Sequence, residues 1–133
     1  MLAMLMTLTM TMTAAAALSA PCTALRQPIG AVVRAAEARR IARDAKQTVK
    51  PDGVTLILAE GSWRLVWATP TEAERGVYFY RRTAKGGYRL IDTWGGVIAP
   101  DERKETVAWA QARTGHPPRR IAGCFADAVL AGY

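Results

Sequence analysis

Two spacings of apolar residues alternate along this chain. From Pro28 to Thr48 the spacing is helical: Ala31, Ala35, Ala38, Ala42, Ala45 and Val49 recur every three or four residues, a low, smooth stripe suited to close packing on a sheet. Ile29, Val33 and Ile41 fall outside that stripe. Lys50-Pro51-Asp52-Gly53 then closes the segment with turn residues. Beyond it the period shortens to two. Val54 to Ala59 is apolar on both faces, which predicts an interior strand. Glu60-Gly61 turns the chain into Ser62 to Thr69, where Trp63, Leu65 and Trp67 share a face. A polar connection, Pro70 to Arg75, leads to Gly76 and a third strand over Val77 to Thr83. Lys85-Gly86-Gly87 predicts a hairpin into Tyr88 to Trp94. Such short connections favour an antiparallel meander.

Gly95-Gly96 breaks the last strand, and helical spacing returns. Asp101 is placed to cap a helix running to about Thr114, with Asp101, Glu102 and Glu105 in its first turns, where negative charge suits the helix dipole. Gly115-His116-Pro117-Pro118 stops it. Ile121, Cys124, Phe125, Ala128 and Val129 form the clearest helical stripe of the chain. The predicted class is α+β: an N-terminal helix, a four-stranded antiparallel β-meander and two C-terminal helices, with the helices on one face of the sheet. This order resembles parts of the cystatin-like and nuclear-transport-factor-like folds. No sequence motif accompanies the resemblance, so no functional residue is carried over from it.

No charged side chain precedes Arg26. Residues 1–19 read as a secretory signal peptide, followed by a single α+β domain over 20–133. Cutting after Ser19 satisfies the small-x-small rule through Ala17 and Ser19, and cutting after Ala17 serves nearly as well. Two features depart from the usual layout. The leader has no basic start, and Thr7, Thr9, Thr11 and Thr13 alternate with apolar residues as a strand would; a retained anchor or a strand are the alternatives. Pro21 separates Cys22 from the small residues and argues against lipid attachment. Export predicts a Cys22–Cys124 disulfide and a secreted or periplasmic location. No later stretch is long and apolar enough to span a bilayer.

The chain carries a net charge of +7, and its distribution matters more than its size. Residues 25–50 hold seven Lys or Arg and two acids, while 51–133 contribute only +2. Helical spacing aligns Arg39, Arg43, Lys46 and Lys50, a row suited to an anionic surface such as lipid headgroups, an acidic envelope polymer, extracellular nucleic acid or an acidic protein. The plain alternative is a solvated face, with Arg40 and Asp44 paired across one turn. In the sheet, Tyr78, Tyr80 and Arg82 share a face, and with Asp92 and Trp94 they are the candidates for a ligand pocket; a carboxylate beside a buried aromatic is a candidate acid or base. His116, the only histidine, has no nucleophile near it in sequence. There is no phosphate-binding glycine loop and no metal-ligand spacing, so no cofactor and no metal is expected.

The expected function is a small exported, non-enzymatic protein that binds a protein or an anionic envelope component, as an inhibitor, immunity-type or accessory factor. Intracellular nucleic acid is not among its expected partners. A ligand-binding module, catalytic or not, with a pocket on a curved sheet is the alternative. A basic protein adhering to an anionic membrane or polymer is the third.

Overall fold

The computed structural model describes residues 17–133. Four strands, β1 (Val54–Glu60), β2 (Trp63–Ala68), β3 (Gly76–Arg82) and β4 (Tyr88–Gly95), form one antiparallel sheet in the order β1-β2-β3-β4. The helices are α1 (Ala20–Thr23), α2 (Ala31–Ala45), α3 (Arg103–Arg113) and α4 (Arg119–Leu130). The α+β class, the meander and the two C-terminal helices therefore stand as expected.

The helices do not share one face of the sheet. Helix α2 covers one side, where Ala38 and Ile41 are buried with Val54, Ile57, Val66, Ala68, Tyr78 and Tyr80. Helices α1, α3 and α4 cover the other, around Leu56, Leu65, Trp67, Phe79 and Phe125. The result is three layers. Strict alternation in β2 and β3 makes this possible, because each strand sends apolar residues to both sides. One extra residue in β1, Thr55, puts Val54 and Ile57 on the same face. A second, Ile91 in β4, leaves Tyr88 and Leu90 beneath α2 but turns Trp94 toward Phe125.

Helix α2 is shorter than the predicted segment and rolled away from its alanine stripe. Ala31 and Ala42 are exposed, whereas Ile41 is fully buried and Ile29 and Val33 pack beside it. Larger side chains bury more apolar area than alanines, so they decide the rotation. The helix stops at Lys46, which adopts the left-handed conformation (φ 57°), the usual geometry after a last turn. Helix α4 follows its predicted stripe: Ile121, Cys124, Phe125, Ala128 and Val129 are all buried. Asp101 does not cap α3. It lies in a short 3-10 turn, Pro100–Glu102, and the Glu102 carboxylate accepts the Ala99 N–H at 2.8 Å instead.

Strand β1 lies at the end of the sheet order rather than in its interior. Its apolar character has another cause: both faces are covered, and the chain after α1 runs along its outer edge. Gln27 N–H donates to the Ile57 carbonyl and Ala59 N–H donates to the Leu25 carbonyl, each at 2.9 Å. Cys22 of α1 and Cys124 of α4 form a disulfide with Cα atoms 5.3 Å apart, and both residues are buried. Leu18 packs against the same core, and the Ser19 carbonyl accepts the N–H groups of Cys22 and Thr23. Residues 1–16 of the expected leader lie outside the described residues. Among the described residues no helix is long and apolar enough to cross a membrane.

Candidate functional site

The four cations expected to form one helical row are separated. Arg39 is exposed on α2, while Arg43 is held by its neighbour Asp44 (Nε–Oδ1 2.8 Å), and that carboxylate raises the Arg43 pKa. Lys46 folds back to donate to the Arg43 carbonyl at 2.8 Å. Lys50 lies beyond the helix, before the turn that opens β1. Nor does Arg40 pair with Asp44. It meets Glu37 one turn earlier.

Glu37 is the buried charge that the sequence pattern conceals. Only 1 % of it is exposed, and it is held between Arg40 and Arg64, with Arg64 Nε donating to Oε1 at 2.8 Å. The two guanidiniums also lie over the ring of Tyr88, at 4.9 and 5.6 Å. Val33, Glu37 and Ile41 form one row of α2, so an acid here falls among buried positions. That spacing was the available signal. The arrangement ties α2 to β2 and presents no free carboxylate.

The proposed pocket residues are not brought together. Tyr78 and Tyr80 are buried under α2. Desolvation raises the pKa of each, most strongly that of Tyr80. Asp92 stands opposite Phe79 on the other side of the sheet; its Oδ1 accepts the Thr93 N–H at 2.8 Å and its Oδ2 is 4.0 Å from Arg113. Trp94 meets Phe125 edge to face at 5.4 Å. A shallow depression of about 280 Å³ reaches Tyr78 and Trp94 but neither Tyr80 nor Asp92. Arg75 helps to wall it: its Nη2 donates to the Gly96 carbonyl at 2.9 Å, and the guanidinium lies over Trp94. Desolvation lowers the Arg75 pKa. Among the described residues no group of three or more His, Cys, Asp or Glu is placed to hold a metal ion.

What the fold does concentrate is positive charge on the β3–β4 hairpin. Arg81, Arg82, Lys85 and Arg89 are exposed, and residues 76–91 contain no acid. Gly86 (φ 87°) supplies the left-handed step that closes the hairpin, and Thr83 N–H donates to the Gly87 carbonyl at 2.7 Å. This register sets Arg81 directly opposite Arg89 and Arg82 opposite Tyr88. Arg81 lies over the Trp63 ring at 5.0 Å, and Arg82 Nη2 donates to the Tyr88 hydroxyl at 3.1 Å. Of the predicted site residues, Arg82 alone belongs to this cluster. Arg89 and Lys85 were missed, although the Gly86-Gly87 turn contained the register that pairs the arginines. Comparison with protein-family models, characterised proteins and solved structures finds no match to this chain.

Proposed function

We propose that the protein is a small exported binding module, closed by its disulfide, that engages an anionic partner in the cell envelope or outside the cell through its surface. One observation carries the proposal: a two-sided apolar core holding out a hairpin whose cations pair with no carboxylate among the described residues. Among the described residues no nucleophile–base pair accompanies these cations, which favours binding over catalysis there. The Cys22–Cys124 bond supports an oxidising compartment.

The fold also bears on where a leader would be removed. Cutting after Ser19 would discard Leu18 and Ser19, which pack on the core and cap α1. Cutting after Ala17 keeps both. The full chain, expressed with its leader, is expected outside the cytoplasm with Leu18 as its first residue by intact mass. Immobilised, that product is expected to retain an envelope component at salt near 0.15 M, where weak long-range attraction is largely screened. A product retained in the cytoplasm at full length would overturn export. An exported product that recovers nothing would overturn the binding role.

A further inference from the structure

Arg81 and Arg89 face each other across β3 and β4. Like charges in directly opposed positions destabilise a sheet pair, and no carboxylate among the described residues lies within salt-bridge distance of either guanidinium. Arg81 has two contacts that favour this placement. Its guanidinium lies over Trp63, and its Nε donates to the Ser62 hydroxyl at 3.4 Å. The neighbouring Arg82 is tethered in the same way by Tyr88. A depression of about 350 Å³ opens between Arg81, Arg82, Thr83 and Arg89, with no other residue lining it.

We propose that this hairpin is a binding site for a phosphoryl group, with Arg81 and Arg89 as its two forks and the Thr83 hydroxyl as a neutral donor. The proposal rests on the surface-docking function above and names the chemistry of the ligand. Guanidinium groups match phosphate oxygens two at a time, which an ammonium cannot do. An anionic phosphoryl group between the two arginines converts their repulsion into two attractions. Stacking and tethering fix part of the site in advance, so less side-chain freedom is lost on binding. Arg82 adds charge from the other face of the strand, and Lys85 adds it from the turn. Phosphoryl groups in this setting come from two sources: a soluble phosphate ester or a phospholipid headgroup.

The test uses the oxidised full-chain product and two probes, inorganic pyrophosphate and vesicles of phosphatidylglycerol set against phosphatidylcholine. Binding is expected to saturate with one or both anionic probes and to fall at least tenfold in Arg81→Gln and in Arg89→Gln. Lys104→Gln on α3 removes the same charge elsewhere and is expected to change affinity less than twofold. Without ligand, Arg89→Gln is expected to melt about 2 °C higher, because it removes the opposed charge. Pyrophosphate binding identifies a soluble source, and binding to anionic vesicles alone identifies a headgroup. The proposal is overturned if neither probe binds, or if Lys104→Gln weakens binding as much as Arg89→Gln. A lower melting temperature for Arg89→Gln with unchanged binding would also overturn it, since the arginine would then be structural. A partner recovered from the envelope with equal affinity by wild type and Arg89→Gln would sink this site and leave the general docking role standing.

Discussion

Glu37 shows how one residue can fix the placement of a helix. Its carboxylate accepts from Arg64 on β2 and Arg40 on its own helix, so Glu37→Gln would leave two guanidiniums facing each other without a counter-charge. The expected loss is about 2–3 kcal/mol, on the low side for a buried pair because both arginines retain some contact with water. Urea denaturation at neutral pH reads it, and a loss below about 0.5 kcal/mol would assign the cluster a marginal role. Tyr80 is the opposite case: a buried hydroxyl with no hydrogen-bond partner. Tyr80→Phe is therefore expected to leave stability at pH 7 unchanged or slightly higher. Burial raises its pKa well above the ordinary tyrosine value of 10.0. The folded chain thus keeps a proton that the unfolded chain releases, so the Tyr80 hydroxyl adds no pH-dependent cost below about pH 10 and progressively opposes folding above it. Wild type should lose stability between pH 9 and 11 more steeply than Tyr80→Phe, as parallel denaturation series would show. Glu37 was not legible in the sequence, whereas Tyr80 was read as a pocket candidate and proves to be buried under α2. Glu37 hides in a row of α2 that the alanine pattern obscures, and Tyr80 alternates like any strand aromatic.

At the level of elements, strands and turns were legible because their signals are local. The Gly61 and Gly86 turns sit where the sequence placed them, with φ of 57° and 87°, and the α4 stripe is buried throughout. The rotation of α2, the helix α1 and the side on which each helix packs were not, because each depends on contacts distant in sequence. Pro21 gives α1 a favourable start, but four residues make a helix only when tied down, and Cys22 does this through α4. With a sequence separation of 102, the bond removes about 4–5 kcal/mol of freedom from the unfolded chain in the entropy model. Cys22→Ser/Cys124→Ser is expected to be roughly 3–5 kcal/mol less stable than the oxidised protein in guanidinium titrations. Because both residues are only 2 % exposed, reductant is expected to act on the native protein far more slowly than after denaturation. Rapid reduction without loss of structure would contradict that shielding.

Across the whole molecule, sequence and structure agree on class and diverge on site. The meander connectivity left little freedom for the sheet, so the architecture could be read from spacing alone. The candidate pocket failed because Ile91 adds a residue to β4 and sends Asp92 and Trp94 away from Tyr80, an insertion that strand alternation cannot reveal. The cationic row failed because the helix ends at Ala45, before the row is complete. The charge gathered instead where two strands lie side by side. The two sides of the sheet's plane are both roofed, yet its two margins are treated unequally. Residues 25–27 bond to β1 at Ile57 and Ala59, while among the described residues β4 has no strand beyond it. Growth of a fibril by strand addition requires every subunit to accept a neighbour at both margins. With the margin of β1 already bonded to residues 25–27, a further strand could add to this sheet only beside β4.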